Sequence, residues 1–286
     1  MCAHEIEFLK TEKMKAVNLF DISGKVILIT GGAGALGGSM AQYLLCLGAK
    51  IVILDRDPLV VANRVTELKA IDENVIGFPG SVLDRRDLEN AKEEILNTWG
   101  KIDVLINAAG GNMPGATIGV DQTIFDLKMD DFRKVSELNL DGSVLPSLVF
   151  GEAIATQGAG SIINISSMTA TRAITRVIGY SASKAAIDIF TKWMATEMAL
   201  KFSDKVRVNA IAPGFFIGNQ NRALLTNEDG SFTERGNTII SNTPMKRFGE
   251  ADELNGTIHW LMSDAASFVT GTIVPIDGGF SAFSGV

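Results

Sequence analysis

The chain has 286 residues, 46% of them hydrophobic, and a formal net charge of −7. That length and apolar content suffice for a large buried core, while the acidic balance argues against nucleic acid and anionic membranes, both of which demand basic patches. Two cysteines exclude a disulfide framework. Two histidines, His4 and His259, lie too far apart in sequence to begin a metal site, so no metal is expected.

Residues 1–20 mix charged with apolar side chains and lack the continuous apolar core of a secretion signal. They read as an N-terminal extension ahead of one domain over residues 21–286. No apolar run reaches ~18 residues, so a cytoplasmic protein that does not cross a membrane is expected. The first strand is predicted at Lys25–Thr30, and it runs straight into Gly31-Gly32-Ala33-Gly34-Ala35-Leu36-Gly37-Gly38 and a helix over residues 35–47. Glycines allow a tight turn and close backbone approach to a ligand, and a helix N-terminus offers amide donors. Gly31, Gly34, Ala35, Leu36 and Gly37 are therefore candidate contacts to a dinucleotide pyrophosphate. Cys46 falls in the apolar run 43–47 and is expected to be a buried free thiol.

The second strand, Ile51–Asp55, ends in an acid eighteen residues beyond Gly37. A carboxylate there accepts both ribose hydroxyls and repels a 2′-phosphate, favouring NAD over NADP, with the neighbouring Arg56 able to offset part of that charge. A helix over residues 58–70, a strand at Val75–Pro79, a helix over 84–99 and a strand at Ile102–Asn107 follow. The last of these ends in Asn107-Ala108-Ala109-Gly110, small residues that leave room for the adenosine ribose.

A long helix is predicted over residues 130–157, then a strand at Ser161–Ser166 that ends in Ser166-Ser167. The next helix, 179–201, opens with Tyr180 and Lys184 four residues apart, hence on one helix face. A phenol near pKa 10 is a poor base, and a neighbouring ammonium together with an oxidised nicotinamide would favour the phenolate. A shift of about 3 units would need ~4 kcal/mol of differential interaction. A hydroxyl at the end of the preceding strand can polarise the same reacting oxygen. Ser166 and Ser167 compete for that role, and spacing favours Ser167.

A strand at Val206–Ile211 precedes residues 213–245, a connection too long for a simple turn and read as a substrate lid. A helix over 251–263 and a strand at Thr272–Ile276 close the chain. Apolar strands alternating with amphipathic helices predict a single doubly wound Rossmann-type α/β domain, its parallel seven-stranded sheet covered by helices on both faces.

Taken together, Thr30-Gly31 with the following glycines, Asp55, Asn107-Ala108-Ala109-Gly110, Asn139, Ser167, Tyr180-x-x-x-Lys184 and Pro213-Gly214 resemble the short-chain dehydrogenase/reductase family over about residues 20–280. The resemblance implies Tyr180 as acid/base, Ser167 on the substrate oxygen and Lys184 on the nicotinamide ribose, where it also depresses the Tyr180 pKa. Asn139 would anchor a relay water. Pro213, Gly214 and Phe216 are assigned to the cofactor pocket, and Ser81 and Val82 to the adenine side, where Ser81 replaces the family's usual aspartate. Ala35 likewise replaces a glycine. A homotetramer is also implied, through the long helices and the tail Phe280–Val286.

Within that family the segments 108–117, 213–216, 219–222 and 277–286 resemble the D-mannonate oxidoreductase (fructuronate reductase) branch. A small-molecule sugar acid needs a cationic clamp and hydroxyl partners. Asn112, Arg172, Arg176, Asn219, Gln220, Asn221 and Arg222 are the candidates, because arginine can hold a carboxylate through two parallel hydrogen bonds. Other readings are a gluconate 5-dehydrogenase-like reductase, a 3-oxoacyl reductase, and a non-catalytic NAD sensor that kept the fold.

Overall fold

Unbroken apolar strands can be satisfied only between two helical layers, and that is how the chain folds in a computed structural model that describes residues 19–218 and 222–285. The strands are β1 (Val26–Thr30), β2 (Lys50–Asp55), β3 (Val75–Pro79), β4 (Val104–Asn107), β5 (Gly160–Ile165), β6 (Val206–Pro213) and β7 (Ile273–Ile276). All are parallel, in the order β3-β2-β1-β4-β5-β6-β7. The single seven-stranded sheet is the one expected, with strand ends within two residues of those read from sequence.

Alternation along each strand divides the core. Ile27, Ile29, Ile51 and Ile53 point to one face, covered by α1 (Ala35–Cys46), α2 (Pro58–Lys69) and, further along the sheet, a late helix, Asn255–Met262. Val26, Leu28, Val52 and Leu54 point to the other, covered by α3 (Arg85–Trp99) and two long helices, Gly142–Gln157 and Ile178–Lys201. Asp57 and Asp84 cap α2 and α3 by accepting the free amides of their first turns. The order of strands reverses between β1 and β4, which opens a crevice at their carboxyl ends.

Three local expectations change. The helix expected over 130–157 is broken into α4 (Met129–Ser136), a π-helical turn (Glu137–Asp141) and α5 (Gly142–Gln157), so that Asn139 sits in the wider turn. Cys46 is exposed rather than buried: α1 turns Met40, Ala41, Leu44 and Leu45 inward, and the helical period then carries position 46 outward. The segment 213–245 is partly helical, with α7 (Arg222–Leu225) and α8 (Glu234–Asn242) on a small cluster of Leu225, Ile239 and Phe248. The late helices of the body are then α6 (Ile178–Lys201) and α9 (Asn255–Met262). No helix of the described residues is long and apolar enough to cross a membrane. The N-terminal extension falls almost wholly outside the described residues.

Candidate active site

The glycine turn is built for backbone contact. Gly31 has φ +65°, and a Cβ there would lie 2.8 Å from the Ala109 backbone. A Cβ on Gly37 would lie 2.5 Å from the Gly31 carbonyl oxygen. Glycine is thus required for the two loops to touch. The Thr30 hydroxyl fastens them further, accepting the Ala108 and Ala109 amides at 3.1 and 3.2 Å. Gly34 is the N-cap of α1 and provides no side-chain cap, and the first turn contains no acid. Ala35, Leu36 and Gly37 are the first helical residues, whose amides have no acceptor within the helix. A bare, uncapped helix N-terminus in a glycine cradle fits the pyrophosphate of a nicotinamide dinucleotide.

Asp55 stands half-buried at the end of β2 and accepts the Arg56 amide at 2.8 Å, while the Arg56 side chain faces solvent. Val82 is buried. Ser81 carries a feature that the sequence did not suggest: its amide donates to the Asp87 carboxylate at 2.9 Å, so α3 brings an acid beside the position where the family's aspartate is missing.

The catalytic candidates converge at the ends of β4 and β5. Tyr180, in the first turn of α6, is hydrogen-bonded to Ser167, whereas the Ser166 hydroxyl donates to Asp188. The Lys184 ammonium donates to the Ile165 carbonyl at 2.7 Å and lies 5.5 Å from the centre of the Tyr180 ring. Burial pushes Lys184 down to about 8, with the nearby Asp188 carboxylate opposing that effect. In the chain alone the Tyr180 pKa is raised: burial is the larger cause, and the Ser167 hydrogen bond offsets it only in part. Lys184 donates one of its three hydrogens to β5 and lies over the ring, and in the chain alone burial of the phenol outweighs it.

Asn139 grips the loop after β4. Its side-chain oxygen accepts the Gly111 amide at 3.0 Å, and its amide donates to the Gly111 and Val135 carbonyls, both at 2.8 Å. A Cβ on Gly110 would meet Asn139 Oδ1 at 2.7 Å and Lys184 Nζ at 3.6 Å, so this backbone is what separates the two side chains.

Asn107 faces inward instead of toward the crevice. It donates to Ser147 and to Asn164, both at 2.8 Å. Asn164 in turn donates to Thr191 on α6 at 2.9 Å. Ser147 donates to the Ser143 carbonyl at 2.7 Å, and Ser143 to the Asn139 carbonyl at 3.0 Å. A buried chain of hydrogen bonds therefore joins the Asn139 turn, β4, β5 and α6, and any cofactor contact by Asn107 would use its backbone.

The family described as "Enoyl-(Acyl carrier protein) reductase" matches residues 31–281, over which the glycine turn, the Ser167–Tyr180–Lys184 cluster and the Asn139 turn are spread. This chain belongs to the short-chain dehydrogenase/reductase family. An uncharacterized oxidoreductase, UxuB, of Bacillus subtilis is 45% identical over 275 residues, which are 93% of this chain and 98% of that protein. A Haemophilus influenza structure with bound NAD, named a candidate D-mannonate oxidoreductase, superposes with a TM-score of 0.86 at 39% identity, covering 93% and 98% of the two chains. A gluconate 5-dehydrogenase from Burkholderia cenocepacia, in complex with NADP and tartrate, gives a TM-score of 0.82 at 29% identity, covering 94% and 99%. As a short-chain dehydrogenase/reductase the chain is an oxidoreductase acting between alcohols and ketones.

In this short-chain dehydrogenase/reductase the substrate candidates are scattered. Asn112 donates to Thr117 at 2.6 Å, and its carbonyl oxygen is buried without a partner. Arg172 donates to the Ser281 carbonyl at 2.9 Å through Nε, tying down the C-terminal tail. Arg176, in a left-handed conformation with φ 78°, donates to the Ile118 carbonyl at 2.6 Å. Arg222 is exposed on α7, while Asn219, Gln220 and Asn221 lie outside the described residues. Gly214 pairs with Ile276 directly after Pro213, and Phe216 bridges to Gly249. Arg235 on α8, which sequence reading passed over, reaches Thr175 at 3.5 Å.

Proposed function

We propose that the chain is an NAD(H)-dependent reductase of a keto sugar acid, interconverting D-fructuronate and D-mannonate. The observation that carries the chemistry is the contact of Ser167 with Tyr180 above Lys184, beside a glycine cradle fitted to a dinucleotide. When bound, the nicotinamide gives or takes the hydride at the carbonyl carbon. Ser167 donates a hydrogen bond to the carbonyl oxygen and holds it against Tyr180. Tyr180 gives its proton to that oxygen in reduction and takes it back in oxidation. Burial keeps Tyr180 protonated in the chain alone, the state that reduction requires. Lys184 is fixed on β5 where its ammonium can hold the nicotinamide ribose. Asn139 holds the Gly110–Gly111 backbone beside it, and its π-helical turn is where a relay water would be held.

Asp55 supports a preference for NAD over NADP, since a 2′-phosphate would meet a carboxylate. The sugar-acid reading draws on the Haemophilus structure and on the gluconate 5-dehydrogenase, which holds a hydroxy-dicarboxylate. Exposed Leu148 on α5 and Ile189, Trp193 and Leu200 on α6 support assembly as a homotetramer, measurable by light scattering.

The decisive experiment assays purified protein with NADH and NADPH against D-fructuronate, 5-keto-D-gluconate and an acetoacetyl thioester. Turnover of D-fructuronate with NADH, well above the other pairs, is the expected result. Preference for 5-keto-D-gluconate would move the substrate to the gluconate type. Turnover of the thioester alone would overturn the sugar-acid reading.

A further inference from the structure

Two half-buried arginines, Arg176 and Arg235, come near each other where α8 reaches the loop before α6. Arg176 lies four residues before Tyr180, in a loop held by two bonds to one residue: the Ile118 amide donates to the Arg176 carbonyl at 3.0 Å, and Arg176 Nε donates to the Ile118 carbonyl at 2.6 Å. Its left-handed backbone, φ 78°, is one that a non-glycine residue adopts only when its surroundings impose it. The loop thus fixes where this side chain points. Arg235 comes from a separate element, the first turn of α8, and bonds through Nη1 to Thr175, the residue next to Arg176. Neither arginine has a carboxylate ion-pair partner among the described residues. Burial and the Arg176 charge both act to lower the Arg235 pKa in the chain alone. Like charges brought together out of solvent with no counter-charge form a site that an anion completes.

We propose that Arg176 and Arg235 together hold the carboxylate of the substrate, with Arg235 carried onto it by the lid helix α8. This rests on the keto-sugar-acid reading and deepens it. It assigns the acid end of the substrate to one residue of the loop before α6 and one residue of α8. Arg172 is less suited to that role because both Nε and Nη2 of its guanidinium point at the Ser281 carbonyl, whereas Arg176 commits Nε alone. The arrangement selects a ketone that has a carboxylate on the same carbon chain over the neutral ketose of the same length.

The test compares D-fructuronate with D-fructose, which presents the same ketone without the acid, in wild type and in Arg235→Leu and Arg235→Lys. Arg235→Leu is expected to raise the KM for D-fructuronate about 10- to 100-fold while leaving kcat/KM for D-fructose unchanged. Arg235→Lys, which keeps the charge but not the planar fork, should recover part of the loss. Thermal melting of the NAD-loaded protein gives a second readout independent of turnover: D-mannonate should raise the midpoint of wild type, should not raise that of Arg235→Leu, and D-mannitol should raise neither. An equal loss on D-fructuronate and D-fructose would mean that Arg235 only seats the lid, and would overturn the inference. An unchanged KM for the acid, with wild type active on it, would overturn the inference alone. Wild type inactive on every sugar acid would overturn the underlying reading as well.

Discussion

The cofactor side and the substrate side of the crevice are built differently. On the cofactor side, backbone sits against backbone: Gly31 against Ala109, Gly37 against Gly31, with the Thr30 hydroxyl bridging two amides. Around it, β1 is fully buried between two helical layers. On the substrate side, side chains reach across gaps, and α7 and α8 rest on a cluster whose buried members are Leu225, Ile239 and Phe248. A region with so little buried apolar area opens at lower free energy than the sheet beneath it. Under the proposed function, the dinucleotide would meet a preformed surface and the second substrate would be enclosed by a segment that can yield.

That contrast can be tested by changes that separate chemistry, charge and recognition. Tyr180→Phe should have the largest effect. It removes the proton donor while leaving the glycine cradle intact, so kcat should fall about 10²- to 10⁴-fold with dinucleotide affinity retained, as read by fluorescence titration. Loss of cofactor binding in step with turnover would show that the two sides are not separable. Lys184→Met comes next, and concerns stability. The buried ammonium has a pKa of about 8 against 10.5 for the group in its ordinary state. Below pH 8 it is protonated in both folded and unfolded chains, and burying it costs stability in full. Between pH 8 and 10.5 the folded chain releases the proton first, and the cost fades as pH rises. Lys184→Met should therefore be more stable than wild type at pH 7, by roughly 1–3 kcal/mol, and this advantage should shrink toward pH 10.5 in denaturant titrations. A constant difference across that range would contradict a depressed pKa. The smallest effect is expected for Asp55→Asn. Removing a half-exposed carboxylate from the ribose site should shift the NADH to NADPH preference by about tenfold, roughly 1.4 kcal/mol, in kcat/KM ratios.

Legibility in the sequence follows the same divide. The strands were readable because Val26–Ile29 and Ile51–Leu54 are runs with no polar residue to spoil burial on either face, and only a parallel sheet between helices uses such runs. The glycine turn was readable because it stands between a strand and a helix. The split of the long helix around Asn139 was not, because a π-helical turn differs from an α-helical one by a single residue and leaves the apolar period almost intact. For a related reason, spacing places Lys184 on the same face as Tyr180 but does not say which atom its ammonium serves, nor that burial raises the Tyr180 pKa in the chain alone. Arg235 was passed over because it is one cation in a polar loop, and only folding brings it next to Thr175 and Arg176. Cys46 shows how an apolar run can mislead when one of its members faces out of the helix.

The hydrogen-bonded chain from Asn139 through Ser147, Asn107 and Asn164 to Thr191 has a mechanical consequence. Thr191 lies eleven residues beyond Tyr180, about three turns along α6 and so nearly in line with it. Apolar packing alone tolerates a helix creeping along its sheet, but a donor in dry surroundings accepts only one partner position. Thr191 therefore indexes α6 against β5. A slip of a single residue would carry the Tyr180 phenol about 1.5 Å along the axis and swing it about 100°. The aim of the reacting hydroxyl is thus set some 16 Å away, midway along the same rod.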